Sequence, residues 1–301
     1  MTVYGGISSL LTGAWAEDVL WVFVMKKIGL CLGGGGAKGF AHIPILEVFD
    51  EMGLKPACIS GTSIGSIVGA LYASGRTAKE IAELSKMPKP KNLKEAIKSK
   101  ELGQIWDMID PDLSWNPKGL LKGEKVLGFL EESLKVKTFG ELEIPFRCVA
   151  TDFWNYETVE FEAGDLLRAI RASMAIPCVF APVLGHDQVL VDGGLTNNMP
   201  VDLLDDDCDI KIAVNLRGDR STPKDKVPNA VEAVFHSYEI MMEATSIAKL
   251  QSHPVDIHVR PPIVDVDVMD FHRAEEIYQQ GLAVKEVFRE QLEAALWDSC
   301  A

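Results

Sequence analysis

Long hydrophobic runs are missing from this 301-residue sequence. The longest early one, Val19 to Met25, falls far short of the roughly 18 residues that a membrane-spanning helix needs. Glu17 and Asp18 precede it where a secretory signal would carry basic residues, so no signal peptide is expected. Basic residues are also short: 30 Lys and Arg against 44 Asp and Glu give a formal net charge of −14, which argues against sequence-independent nucleic-acid binding. Cysteine is sparse, and the six present (Cys31, Cys58, Cys148, Cys178, Cys208, Cys300) include no CxxC pair. That usage disfavours a disulfide framework or a structural zinc site and fits a reduced, cytoplasmic setting. No metal-ligand cluster, repeat or low-complexity tract stands out, so neither a metal nor a cofactor is expected. What remains is 47% apolar and 25% charged, an ordinary globular composition on a chain long enough for one large core.

The chain divides by pattern. Ile28 to Leu32 is a short apolar run that ends in four glycines, Gly33 to Gly36. A helical pattern follows from about Phe40 to Met52 and stops at Gly53, with Pro44 either in its first turn or kinking it. Ala57 to Ser60 reads as a second buried strand, and Ile64 to Ala73 as a second helix. Strand, helix, strand, helix at this spacing signals a right-handed parallel α/β layer. Further strands are expected near Phe146 to Thr151, Thr158 to Phe161, Gln188 to Val191, Ile210 to Leu216 and Asp256 to Val259. Helices are expected near Asp165 to Ser173, over 229–250 and over 273–297. Residues 25–301 read as one domain, and 1–24 as a peripheral extension or an upstream start.

Three motifs carry chemistry. Gly33-Gly34-Gly35-Gly36-Ala37-Lys38-Gly39 joins a strand to a helix, so its main-chain N–H groups can converge on a phosphate or a transient oxyanion. Gly34, Gly36 and Gly39 also satisfy a dinucleotide fingerprint, yet Ile59-Ser60-Gly61 lacks the acidic residue that reading needs. A Walker loop fails as well, because glycine follows Lys38. Gly61-Thr62-Ser63-Ile64-Gly65 places a serine between glycines at a strand-to-helix turn, the setting of an exposed nucleophile. Val191-Asp192-Gly193-Gly194, followed by Asn197-Asn198-Met199-Pro200, puts a carboxylate at a strand end. The plainer alternatives are a tight turn at the glycines, a helix cap at Ser63 and a turn at Asp192. The elbow arrives after one evident strand, earlier than in an ordinary α/β-hydrolase, and that arrangement fits a Ser–Asp dyad better than a triad with one of the six histidines.

From about Lys27 to Gly281 the sequence resembles the patatin-like phospholipases, serine lipid acyl hydrolases. The likeness rests on Gly33–Gly39, Gly61–Gly65 and Asp192-Gly193-Gly194 in that order, with Arg171-Ala172-Ser173-Met174-Ala175-Ile176-Pro177 and Asp192 through Pro200 between and after them. It implies a three-layer α/β/α fold with a mainly parallel sheet. It also implies Ser63 as nucleophile, Asp192 as base, and Gly34, Gly35 and Gly36 as oxyanion donors, with Gly33, Lys38, Gly39, Gly61, Gly65, Gly193 and Gly194 as supporting positions. Two departures stand out. Lys38 replaces the family's usual arginine, exchanging a planar five-donor group for a point charge, and Pro44 stands where glycine is common.

The expected activity is hydrolysis of acyl lipid esters through an acyl-serine, independent of calcium. Two alternatives stay open from sequence: a carboxylesterase on soluble esters, and a non-catalytic phosphate- or nucleotide-binding module with Ser63 as a cap. Residues 86–125 hold nine lysines against six acids. With Trp106, Trp115, Leu120 and Leu121 among them, they suit a lid or a flank in transient peripheral contact with a membrane. A solvated excursion with inward tryptophans fits them equally.

Overall fold

The computed structural model describes residues 26–85, 124–185, 187–221 and 227–297. The extension expected over 1–24 and nearly all of the lysine-rich flank, with Trp106 and Trp115, lie outside the described residues. In chain order the strands are β1 (Ile28–Leu32), β2 (Cys58–Thr62), β3 (Phe146–Asp152), β4 (Glu157–Phe161), β5 (Val183–Leu184), β6 (Val189–Asp192), β7 (Ile210–Val214) and β8 (Ile257–Val259). The α-helices are α1 (Ile43–Met52), α2 (Ile64–Ala73), α3 (Ala78–Ser85), α4 (Glu124–Ser133), α5 (Leu166–Ser173), α6 (Ala230–Ser252), α7 (Ala274–Gly281) and α8 (Lys285–Trp297).

Strands β3, β2, β1, β7 and β8 lie side by side and parallel, while β4, β5 and β6 add antiparallel pairs beyond them. The central strands β1 and β2 are buried on both faces, which is why β1 reads as an unbroken apolar run, whereas β7 admits the half-buried Lys211. Their two faces nonetheless differ. Ile28, Leu30 and Leu32 join Ile59, Ile210, Ile212 and Val214 in the main core with α1, α2, α5 and α8. Phe49 of α1 and Phe288 of α8 meet there fully buried, with ring centroids 6.1 Å apart. Truncating either to alanine would cost about 3–5 kcal/mol.

The opposite face carries small residues, Cys31, Cys58 and Ala213, against Met199, Val201 and Leu204. Small side chains let the segment after β6 lie close on the sheet. Strand β2 then fastens it: Ser60 Oγ donates to the Pro200 carbonyl at 2.8 Å, and Thr62 Oγ1 to the Asn197 carbonyl at 2.8 Å. The end of α6 closes this face through Leu250.

Register brings two distant segments together. Strand β4 pairs along 148–152 on one edge of β3. On the other edge β2 pairs only as far as Thr62 opposite Val149, and β6 takes over with Asp192 opposite Ala150. Parallel β2 and antiparallel β6 therefore meet tip to tip on one strand, at Ser63 and Asp192.

Several boundaries differ from the sequence reading. The first helix starts at Ile43, after a 3-10 turn over Gly36–His42, because Pro44 has no N–H and suits only the first α-turn. The helix expected over 273–297 is two, split by a 3-10 turn at Leu282–Val284. Its pivot, Gly281, lies so close to Ala41 that an added Cβ would stand 3.0 Å from the Ala41 Cα. Cys178 is exposed and has φ +69°, unlike the buried Cys31, Cys58 and Cys148. Helix α3 is additional, although Thr77 and Glu80 exchange the capping hydrogen bonds that a T-x-x-E sequence encodes. Among the described residues no helix is long and apolar enough to cross a membrane.

Candidate active site

Strand β2 hands over to α2 through a single residue, Ser63, with φ +54° and ψ −122°. A non-glycine side chain in that region costs on the order of 1–3 kcal/mol and persists only where its surroundings impose it. Backbone contact imposes it here. A Cβ on Gly65 would stand 2.0 Å from the Leu32 carbonyl oxygen, and one on Gly61 2.5 Å from the Gly65 carbonyl oxygen. The Ser63 N–H donates to Ser173 Oγ at 2.9 Å, and its carbonyl accepts from the Ser66 N–H at 2.9 Å and Ser66 Oγ at 2.6 Å. The side chain itself is left out of this backbone bracing.

Asp192 ends β6 and is wholly buried. Its N–H donates to the Ala175 carbonyl at 2.9 Å, and its carbonyl accepts from Thr151 Oγ1 at 2.9 Å. The Arg171–Pro177 stretch thus touches both partners, through Ser173 at the elbow and Ala175 at the acid. Carboxylate Oδ1 accepts the Gly194 N–H at 2.8 Å. Oδ2 has no partner at full hydrogen-bond geometry, yet the hydroxyls of Ser63 and Tyr238 lie near enough to favour its charge. Burial outweighs them and lifts the Asp192 pKa from 3.8 to about 6.

The glycine loop lies over the elbow. The Gly33 N–H is taken by the Val214 carbonyl at 3.0 Å and the Gly34 N–H by the Asn198 carbonyl at 3.2 Å. The N–H groups of Gly35 and Gly36 make no hydrogen bond to a described residue, whereas that of Gly34, also expected from sequence as a donor, is engaged. Gly34 serves instead by close approach: a Cβ there would meet Asn198 Oδ1 at 2.5 Å and Ser63 Cβ at 3.4 Å. Gly36 has φ +58°, and its own Cβ would collide with the Val268 carbonyl oxygen at 2.2 Å.

No described histidine serves Ser63. His42 is buried behind the loop, hydrogen-bonded through Nε2 to the Gly33 carbonyl at 2.9 Å, and burial pushes its pKa down to about 4. It is a neutral support for the loop. His236 Nδ1 pairs with Glu239 at 3.1 Å. His186 lies outside the described residues. Lys38 is buried with its ammonium on Glu239, which also takes Arg220 at 3.1 Å. A cavity of about 360 Å³ opens beside the loop between Gly34 and Gly35 and the charged group Lys38, Arg217, Arg220 and Glu239. Among the described residues no cluster suited to a metal ion occurs.

Two contributors lay beyond the sequence reading. Ser173 was visible only as part of a linking stretch. Tyr238, on α6, had no local signal at all, since a tyrosine among Val, Phe, Ile and Met in a helix reads as core.

Comparison with known proteins identifies the family. The family model described as patatin-like phospholipase matches residues 30–205. An uncharacterized NTE family protein of Mycobacterium tuberculosis is 35% identical over 205 residues, covering 67% of this chain and 53% of the relative. The lysophospholipase NTE1 of Kluyveromyces lactis is 29% identical over 293 residues, covering 89% of this chain and 19% of that much longer protein. This chain thus spans about half of one relative and a fifth of the other. Among solved structures, VipD from Legionella pneumophila aligns with a TM-score of 0.48 at 16% identity, over 87% of this chain and 67% of that one, and nothing about the site follows from it. By the extent of the family match and the sheet that carries it, the chain belongs to the patatin-like phospholipase family.

Proposed function

We propose that this chain hydrolyses carboxylic acyl esters of lipids, of the phospholipase or lysophospholipase kind, through a Ser63–Asp192 dyad. The observation that carries the reading is a serine held at positive φ on a strand-to-helix turn beside a buried carboxylate with one oxygen left for it. A phosphate-binding loop with Ser63 as a mere cap has no use for that carboxylate, and Ser63 makes no side-chain cap.

The geometry supports the following steps. Asp192 Oδ2 accepts the Ser63 proton as Oγ attacks the ester carbonyl, and the carbonyl electron pair moves onto oxygen. The Gly35 and Gly36 N–H groups are the donors offered to that oxyanion. Collapse expels the alcohol, which leaves with the proton held by Asp192, and an acyl-serine remains. Water then gives its proton to Asp192, attacks the acyl carbon and releases the fatty acid, while Ser63 recovers its proton. An aspartate at its ordinary pKa is a feeble base, and burial brings this one closer to the working pH. The described residues share one sheet, which supports a single catalytic domain, and the substrate class supports transient contact with a lipid surface.

Labelling with a fluorophosphonate, followed by peptide mapping, tests the dyad. One adduct on Ser63, absent in Ser63→Ala and slowed at least a hundredfold in Asp192→Asn, is the expected result. A folded wild type that takes up no label would sink the hydrolase reading.

A further inference from the structure

One stripe of α6 runs directly along the segment that carries Asp192. Met242 touches Gly194, where an added Cβ would stand 2.9 Å from its sulfur. Ser246 Oγ accepts from the Asn198 side-chain amide at 3.1 Å, and Lys249 Nζ binds Asp202 at 2.7 Å. One turn before Met242 on the same stripe stands Tyr238. Its ring is clamped by Ile176, Val179 and Met242. Its hydroxyl is buried, 3.0 Å from where a Gly194 Cβ would stand, and has no partner at hydrogen-bond geometry. The one described acid it faces is Asp192, whose Oδ2 is likewise unfilled.

We infer that Tyr238 is the positioning residue of the base: its hydroxyl donates to Asp192 Oδ2 and, with the Gly194 N–H on Oδ1, holds the carboxylate ionised and aimed at Ser63. The phenol suits that task. Burial and the neighbouring carboxylate both push its own pKa well up, so it stays a donor throughout the working range. The groups acting on Asp192 are Ser63, the Gly194 N–H and Tyr238, and none carries a formal charge. The tyrosine is therefore one of few influences opposing the desolvation of the acid. Apo sites often hold such contacts long and tighten them only around substrate.

The inference rests on the Ser63–Asp192 reading, and the test separates the two. Ester turnover is measured from pH 5 to 9 for the full chain and for Tyr238→Phe, with Ser63→Ala alongside. If Ser63→Ala retains turnover, the dyad itself fails. If turnover vanishes there, the Tyr238→Phe profile decides. Loss of the donor is expected to move the acid limb of kcat/KM up from about 6 by roughly one pH unit, so that the deficit grows from about twofold at pH 7 to about ninefold at pH 5. A deficit equal at every pH would mean a packing role only and would overturn the inference. Should Tyr238→Phe fail to fold, 3,5-difluorotyrosine installed at position 238 keeps the shape and strengthens the donor. The acid limb must then move down; an unmoved limb refutes the assignment.

Discussion

Asparagine at position 192 is expected to stabilise the fold while destroying turnover. Asp192 is completely buried, and its pKa rises from 3.8 to about 6. A carboxyl with a raised native pKa is more easily ionised in the unfolded chain, so ionisation favours unfolding. The cost is absent well below pH 4, grows between the two values and is full above about pH 6, where it reaches about 3 kcal/mol. Asparagine removes it with little change of shape. Its amide oxygen still accepts the Gly194 N–H, and its NH2 group faces the Ser63 and Tyr238 hydroxyls, which rotate to accept. For a domain of this size 3 kcal/mol corresponds to a melting shift of about 5 °C. Calorimetry of both proteins at pH 8 and pH 4 should show Asp192→Asn melting higher at pH 8 and level with wild type at pH 4. Turnover at pH 8 should fall by about 10²–10⁴ through loss of the base. A variant that melts lower at pH 8, or by the same margin at both pH values, would refute the burial cost assigned to this acid.

Ser173→Ala frees the Ser63 N–H and is expected to cost about 1 kcal/mol in urea unfolding and to lower kcat/KM about tenfold. Gly36→Ala forces a side chain toward the Val268 carbonyl at positive φ. It should reduce turnover by at least about 10² through displacement of the oxyanion donors, and a wild-type rate would dismiss the loop from catalysis. Lys38→Met leaves the half-buried Glu239 with Arg220 and His236 as its remaining partners. Its expected penalty in chemical denaturation is up to about 3 kcal/mol, whereas Lys38→Arg should keep most of the stability. Chelators should leave turnover unchanged, and a loss restored by calcium would contradict the metal-free scheme.

The centre of the sheet is legible in sequence because burial on both faces writes itself as an unbroken apolar run, as in Ile28–Leu32. The elbow is legible because only glycine permits the backbone contact at Gly61 and Gly65. Gly34 shows the limit of such reading. A run of four glycines gives no sign of which N–H the fold will consume, and Asn198, which takes it, is far along the chain. The start of the first helix follows from Pro44, whose local pattern allows either a first-turn place or a kink, whereas the break at Leu282–Val284 lies where Gly281 approaches Ala41 and leaves no local mark. Tyr238 is the deepest omission. Its place beside Asp192 follows from how α6 docks across the sheet, and no spacing within the helix encodes that.

The shared edge of β3 also governs when the chain becomes competent. Ser63 follows β2 and Asp192 ends β6, two strands that do not pair with each other and that both pair with β3. A nascent chain released as far as residue 188 holds the residues that brace the elbow, yet it would present a serine without its base and a glycine loop without the Asn198 and Val214 carbonyls that fasten it. Both partners enter register only after β6 has returned to the edge that β2 left open. On the proposed dyad, hydrolytic capacity arrives only with long-range closure of the sheet, and chains lacking β6 are expected to be inert.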